Sequence, residues 1–265
     1  MAEREHLDRL ASGVAAFNEW RASSPGLVPD LARADLGGLD LREANLGGAN
    51  LERADLSGAD LRRADLQGAG LSRADLSEAD LRGAALDGCR GDEADLRDAD
   101  LRRCSLRGAS LVQAIMTGAD LRDADLSGAC LREAYMPRVD LRGTLLKACD
   151  LGEAMLKNGD LREADLSDAN LEHANLSRAD LRQLVAGCDA LAACNTAEAI
   201  FDCGECEEAA SAEPPAAVPT AAAPVAAAPA SEPADAAAAE DAPSAAPLVA
   251  PTTPEPEVPG YQFEQ

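Results

Sequence analysis

Leucine follows a five-residue period through the middle of the chain, from Leu31 to Leu181. The residue two places before each leucine is small, most often alanine, and the residue between them is most often Asp or Asn, so the unit reads A-(D/N)-L-x-x. Gly91, Met116 and Met136 replace the leucine. No insertion breaks the phase over about 31 units, and an internal repeat of this kind predicts a solenoid.

A five-residue period matches neither the 3.6 residues of a helical turn nor the two-residue alternation of a strand. It matches a chain that turns a corner every five residues, with the leucine and the small residue inside and with Asp or Asn and the residue after leucine outside. Four such sides close a coil of about 20 residues, and coils stack at the ~4.8 Å spacing of strands. The pattern therefore predicts an all-β solenoid, a four-sided parallel β-helix over residues 30–183 with a narrow aliphatic core.

The repeat resembles the pentapeptide repeat family, and so does the segment before it. Phe17-Asn18-Glu19-Trp20-Arg21, followed by Pro29-Asp30-Leu31, is similar to the W-N-x-W-R…P-D-L lead-in of many members, with Phe17 in place of the first tryptophan. The resemblance implies that the fold is a right-handed quadrilateral β-helix.

An N-terminal capping helix is predicted over residues 3–22, within a lead-in of residues 1–29. Apolar residues stand there at helical spacing: Leu7, Leu10, Val14, Phe17 and Trp20. Such a helix would cover the first coil, whose backbone edge is otherwise open.

A second capping helix is predicted over residues 183–202, within a C-terminal cap at 184–208. Its apolar positions are Leu184, Val185, Leu191, Ile200 and Phe201. In family members of this shape such an element often caps the coil or dimerises it, so the resemblance implies a homodimer through this cap. Residues 209–265 are rich in Ala, Pro and Glu and are predicted to be a disordered tail, with Tyr261–Gln265 as a candidate docking peptide.

Charge is unevenly distributed along the chain. The whole chain has a formal net charge of −24, and residues 184–265 contain acidic but no basic side chains. An acidic surface argues against direct binding of nucleic acid or of anionic membranes. Neither a signal peptide nor a membrane span is recognisable, so a cytoplasmic location is predicted.

Residues 20 apart stack in columns, and one column is strictly regular. Asp-Leu-Arg recurs every 20 residues from Asp40-Leu41-Arg42 to Asp180-Leu181-Arg182, which predicts parallel Asp and Arg ladders that neutralise each other.

Another column changes character halfway along. Its members begin with acidic residues and continue with large apolar ones: Asp35, Asp55, Asp75, Asp95, Ile115, Tyr135 and Met155. Glu78 and Asp98 add acid beside the first half, while Arg138, Lys157 and Arg178 add base beside the second. Outward apolar side chains suggest a contact surface, and the seven residues of this column are the candidate partner contacts. Drift within a tolerant repeat is the competing interpretation.

Cysteine offers the only other candidate chemistry. Cys89, Cys104 and Cys149 occupy the inward small-residue position, where cysteine acts as a slightly larger alanine. Beyond the repeat lie Cys188, Cys194, Cys203 and Cys206. Cys203-Gly-Glu-Cys206 is a C-x-x-C pair that can hold zinc or form a disulfide, but the first pair has the wrong spacing for a zinc site. We therefore predict no metal and no cofactor.

The sequence contains no recognisable nucleophile, phosphate-loop or metalloprotease motif, and its carboxylates lie on exposed columns. We predict that the protein is not an enzyme but a scaffold that binds a protein partner. One alternative, implied by the resemblance, is a DNA mimic that binds DNA gyrase or topoisomerase IV and protects against topoisomerase poisons. A second is a metal or redox function of the C-terminal cysteines.

Overall fold

The chain forms a four-sided β-helix of stacked coils in a computed structural model that describes residues 3–185 and 188–202. Parallel bridges join residues 20 positions apart, as between Asp35 and Asp55 or between Ile115 and Tyr135. One column of such bridges runs without a gap from Asp35 to Asn195. In the described part of the chain each parallel contact is a single bridge residue rather than a longer strand. The predicted repeat solenoid is therefore confirmed.

Each side of a coil is held to the next coil by backbone hydrogen bonds. The Leu36 N–H donates to the Asp55 carbonyl at 2.7 Å, and the Asp55 N–H donates to the Ala34 carbonyl at 2.9 Å. Bonds of this kind satisfy the backbone groups that flank each buried leucine. The five-residue unit is thus just long enough to provide one inward leucine, one bridge and one turn.

The corners are β-turns with one residue in the left-handed region. At the first corner the Ala34 N–H donates to the Leu31 carbonyl at 3.0 Å, and Arg33 between them has a φ of 60°. A positive φ at the third residue is typical of a type II turn. Glycine takes this position in one column of corners, where Gly88 has a φ of 63° and the other glycines of the column are similar. Most corners of the β-helix nevertheless adopt this conformation with a residue other than glycine.

The core consists of leucines stacked on leucines, with alanine or cysteine filling the space between the sides. Met116 and Met136 are fully buried in place of leucine. Gly91 stands in place of a core leucine, and a Cβ there would lie only 2.9 Å from Cδ2 of Leu111. The leucine of the next coil therefore occupies this space.

The N-terminal cap is two helices rather than the single predicted one. Helix α1 spans Arg4–Ala11 and helix α2 spans Val14–Ser23. Gly13 separates them with a φ of 106°, a conformation that only glycine adopts readily and that no α-helix contains. The apolar spacing is similar on both sides of the break, and Leu10 and Phe17 are both buried.

Side chains of α2 replace the missing coil at the open edge of the β-helix. The Asn18 amide donates from Nδ2 to the Glu43 carbonyl at 2.9 Å, and its Oδ1 accepts from the Asn45 N–H at 2.8 Å. The Arg21 guanidinium donates from Nη2 to the Gly47 carbonyl at 2.7 Å. The lead-in motif therefore satisfies backbone groups that a preceding coil would otherwise bind.

The predicted helix over residues 183–202 is wrong, because this segment continues the β-helix. It contains a 3₁₀ helix at Cys188–Ala193, after which Asn195 bridges to Asn175 and Ile200 bridges to Asp180. Leu191 is completely buried in phase with the leucines before it. The predicted tail at 209–265, with its terminal peptide, lies outside the described residues.

Candidate protein-binding face

The Asp and Arg ladders form one continuous ionic network along one side of the β-helix. In a middle coil, Arg102 Nη2 lies 2.6 Å from Asp100 Oδ2 in its own coil, and Arg102 Nε lies 3.5 Å from Asp120 Oδ2 in the next. The same double contact recurs in each coil from Arg42 to Arg162. The predicted neutralisation is confirmed, so this side presents alternating charge with little net field.

The network stabilises the charged forms of both ladders. The hydrogen bond from Arg42 lowers the pKa of Asp40 to about 2. Hydrogen bonds from their arginines also lower the pKa of Asp60, Asp160 and Asp180. A carboxyl group that serves as a general acid near neutral pH needs a raised pKa, so these groups are shifted in the wrong direction for that chemistry.

The neighbouring side carries the seven candidate contact residues. We call it the divided face: the bridge column Asp35, Asp55, Asp75, Asp95, Ile115, Tyr135, Met155, Asn175 and Asn195, with the two corner residues that follow each member. The structure brings all seven candidates together as one stack of parallel bridges, as the register predicted.

In the acidic half of the divided face most carboxylates have only local partners. Asp55 Oδ1 accepts from the Ser57 hydroxyl at 2.6 Å and from its N–H at 2.9 Å, and Asp75 makes the same two contacts with Ser77. Neither contact neutralises the carboxylate. These aspartates therefore keep their charge facing solvent.

The fourth aspartate of this half differs from the other three, although the repeat pattern places all four alike. Asp95 is bound by the Arg97 guanidinium through both Nε and Nη2. The side chain of Asp95 is only 15% exposed, while that of Arg97 is 47% exposed. The negative field of the acidic half thus comes from Asp35, Asp55 and Asp75, together with the exposed corner residues Glu78 and Asp98.

The apolar half is a stack of three large side chains. Ile115 bridges to Tyr135, and Tyr135 bridges to Met155, so the three lie in consecutive coils. All three point outward and are half-buried. Arg138 and Lys157 on the adjoining corner are exposed, whereas Arg178 is bound to Glu198 at 2.7 Å. This half therefore combines apolar surface with two basic groups at its rim.

Four of the five cysteines whose side chains the structure describes lie in the core, whereas Cys130 points outward and is half-buried. Cys89, Cys104, Cys149 and Cys194 are buried, and burial raises the pKa of Cys89, Cys149 and Cys194 to about 12. Thiols of this kind are poor nucleophiles and poor metal ligands.

Of the four C-terminal cysteines, the structure describes the side chain of Cys194 alone. Cys203 and Cys206 lie outside the described residues, and so does the side chain of Cys188. Among the residues that are described, no group of three or more His, Cys, Asp or Glu side chains is arranged to hold a metal ion. No helix in the same part of the chain is both long and apolar enough to cross a membrane.

A four-sided solenoid of five-residue units with patterned outer columns defines a class of repeat scaffold. The family model for pentapeptide repeats matches residues 30–68, 69–108, 104–143 and 144–183, which is more than half of the chain. The chain belongs to the pentapeptide repeat family. The recognition made from its repeat and lead-in is thereby confirmed.

Two solved structures are among those that match this chain. QnrB1, a plasmid-mediated fluoroquinolone resistance protein, is 19% identical with a TM-score of 0.59, covering 65% of this chain and 87% of its own. HetL, involved in heterocyst differentiation regulation in the cyanobacterium Nostoc sp. strain PCC 7120, is 29% identical with a TM-score of 0.43, covering 68% and 92%. At this identity the likeness to QnrB1 establishes the fold alone. No match was found among curated proteins.

Proposed function

We propose that this protein is a non-enzymatic scaffold that binds a protein partner through the divided face. The proposal rests mainly on the stack of Ile115, Tyr135 and Met155, which replaces aspartate by large apolar side chains in three consecutive coils of one column. Apolar groups that point into solvent without a partner are unfavourable, and their clustering is typical of a contact surface.

The other sides of the β-helix support this choice of surface. The ladder side is neutralised by its own arginines, and its charges already satisfy one another. Elsewhere large apolar residues point outward singly, as Leu145 does at 39% exposure. Only the divided face among the described sides joins apolar surface to unpaired charge of both signs in separate zones.

Binding measurements on variants of the full chain test the proposal. Changing Ile115, Tyr135 and Met155 together to serine should abolish capture of partner proteins that the unchanged chain retains at high salt. The matched control is Leu145→Ser, which removes an exposed leucine from another side. Equal capture by the triple variant and by the control would refute the apolar stack as the contact surface.

DNA mimicry directed at DNA gyrase or topoisomerase IV is the second candidate, and the unpaired acidic half favours it. Asp35, Asp55 and Asp75 stand in consecutive coils at ~4.8 Å steps without arginine partners. Against it, the eight aspartates of the ladder side are neutralised. Residues 30–183 have 30 acidic and 21 basic side chains, so their net charge is −9. Over the ~37 Å length of these coils this is about one negative charge per 4 Å, compared with one per ~1.7 Å in B-DNA.

Supercoiling by purified gyrase, titrated with the full chain with and without a fluoroquinolone, tests this candidate. Mimicry requires inhibition or drug protection that weakens with added salt and disappears when Asp35, Asp55, Asp75 and Asp95 are changed to asparagine. A quadruple variant as potent as the unchanged chain, or no effect at all, would exclude it.

A metal or redox function of Cys188, Cys194, Cys203 and Cys206 is the third candidate and has less support. Cys194 is buried, and its raised pKa disfavours the thiolate that metal binding and disulfide exchange require. Zinc titration of the reduced full chain, compared with a Cys203→Ser and Cys206→Ser variant, distinguishes this candidate from the other two.

A further inference from the structure

The divided face is complementary to itself when one copy is turned end over end. Its first half has acidic corner residues, Glu78 and Asp98, in the third and fourth coils of the column. Its second half has basic corner residues, Arg138 and Lys157, in the sixth and seventh coils. The fifth coil, with Ile115, lies at the midpoint between them.

We infer that the divided face binds a second copy of this chain, with the two β-helices antiparallel and a twofold axis passing through the coil of Ile115. The inference rests on the proposed function, because it names the occupant of the same surface. A twofold interface brings one patch against itself, so each residue contacts the residue at the same distance on the other side of the axis.

The axis pairs opposite charges along the corner. One coil from the axis, Asp98 faces Arg138 of the partner subunit. Two coils from the axis, Glu78 faces Lys157 of the partner subunit. The symmetry repeats both contacts, so four such pairs form in all. Complementary charges of this kind fix register and orientation more than they add affinity.

The residues near the axis allow close approach. Gly118, the corner residue of the fifth coil, has no side chain, and the carboxylate of Asp98 extends over it from the coil before. Ile115 meets its own copy at the centre of the face. One coil from the axis, Tyr135 faces the exposed guanidinium of Arg97 of the partner subunit, which suits a cation–π contact.

A parallel arrangement of the same two faces pairs different residues. A twofold axis along the β-helix places each coil opposite its equivalent and brings the corner after the column against the corner before it. Asp98 would then face Glu93 of the partner subunit, whereas Arg138 would face Glu133 of the partner subunit. On the opposite corner the antiparallel arrangement creates two like-charge contacts, between Glu93 and Glu133 and between Glu52 and Glu172. Glu93 is already bonded to Arg73 at 2.9 Å and Glu133 to Gln113 at 2.8 Å. Glu52 lies 3.8 Å from Arg53, and Glu172 lies 3.7 Å from His173.

The size of the face sets the expected affinity. A side about 10 Å wide and about 38 Å long buries on the order of 800 Å² in the pair, below the 1,200–2,000 Å² of a standard interface. The dimer should therefore be weak and reversible, with a dissociation constant of about 10–100 µM. Concentration-dependent mass is the appropriate readout.

Sedimentation equilibrium of the full chain from about 5 to about 500 µM should show the mass rising from monomer towards dimer by mass action. Variant A, Arg138→Glu with Lys157→Glu, makes both halves acidic. Variant B, Glu78→Lys with Asp98→Lys, makes both halves basic. Each alone should remain monomeric, because its antiparallel pairs are now like charges.

Mixing variants A and B should restore the dimer, since every corner pair is again of opposite charge. The matched control pair is Arg103→Glu with Asp123→Lys, which swaps two charges on a corner that does not border the divided face and should leave the dimer unchanged. Failure of the mixture to associate beyond variant A alone overturns the inference, as does an unchanged chain that stays monomeric throughout. Either result leaves the proposed function to be judged by its own capture experiment.

Discussion

Arg62 Nε lies 3.5 Å from Oδ2 of Asp80, the aspartate one coil further along the β-helix. The same guanidinium is also bound to the aspartate of its own coil. Each arginine therefore spans the gap between two carboxylates that would otherwise repel each other across ~4.8 Å. The ladders are one linked structure rather than two rows of separate ion pairs.

This linkage predicts destabilisation by acid. The pKa of Asp40 is lowered to about 2, and those of Asp60, Asp160 and Asp180 are also lowered. A lowered pKa in the folded state stabilises the fold above the unfolded-state pKa of ~3.9, and this stabilisation is lost as the pH falls through the folded-state pKa. We expect the thermal midpoint to fall most steeply between about pH 4 and pH 2. Circular dichroism melts across this range test the expectation, and a constant midpoint would contradict it.

Removing an arginine of the network, Arg102, should lower the thermal stability more than removing Arg103, which follows it in the sequence. Arg102→Ala leaves Asp100 and Asp120 without the cation between them, so we expect a lower thermal midpoint. Arg103→Ala is the control, because Arg103 contacts Asp123 only at 3.7 Å and is largely exposed. Indistinguishable midpoints for the two variants would show that the network adds nothing beyond ordinary surface pairs.

Asn18 should be important for the stability of the first coil. Asn18→Ala leaves the Asn45 N–H and the Glu43 carbonyl without their partners, which we expect to reduce the free energy of unfolding by about 1–3 kcal/mol. Asn18→Asp keeps the acceptor and loses only the donor, so its free energy of unfolding should lie between those of the unchanged chain and of Asn18→Ala. Urea unfolding and hydrogen exchange of the Asn45 amide measure the effect, and unchanged exchange in Asn18→Ala would refute the capping role.

Gly88 is a position at which the energetic cost of the left-handed corner conformation can be measured without steric clashes. A Cβ there would meet no atom within 4 Å, so the only penalty of a side chain comes from its φ of 63°. We expect Gly88→Ala to destabilise by about 1–2 kcal/mol, and Gly88→Asn by less, because asparagine tolerates this region better. Thermal melts of the two variants provide the comparison. A result in which alanine is tolerated as well as asparagine would contradict the role of backbone conformation.

The core cysteines should resist alkylation in the folded protein. Burial raises the pKa of Cys89, Cys149 and Cys194 to about 12, so their thiolate fraction at pH 8 is lower by about a thousandfold than that of a free cysteine. Cys130 points outward and is half-buried, so it should react first among the cysteines of the repeat. Peptide mapping after iodoacetamide treatment tests this order, with urea-unfolded protein as the control in which all of them react.

The period predicted most of the β-helix because every unit repeats the same choice of inward and outward positions. It did not predict the ends, where that choice is expressed in other residues. Leu191 and Phe201 keep the leucine phase, but Thr196 stands between them and Leu191 itself lies in a 3₁₀ helix, so the signal resembled that of an amphipathic helix. At the N-terminus the apolar spacing from Leu10 to Val14 is the same in one helix as in two, and only Gly13 signalled the break.

The columns of the candidate face were also predictable, since register alone places Asp35 to Met155 on one side. Pairing within the face was not, because it depends on how a turn directs two side chains. Asp95 and Arg97 have the same two-residue spacing as the ladder pairs, and this spacing was the available signal for their contact. The closeness of Leu111 to the space at Gly91 depends on how side chains pack between neighbouring coils, which the five-residue pattern does not describe.

The uniform height of the coils gives the surface a fixed scale. Two groups in one column are always separated by a whole number of steps of ~4.8 Å, so Asp98 and Arg138 are about 10 Å apart along the axis. Excising 20 residues in phase would remove one step and bring the remaining groups closer by that amount, without changing the sides on which they lie. The β-helix therefore acts as a ruler whose graduations are coils, and its binding properties can be adjusted by length as well as by side-chain chemistry.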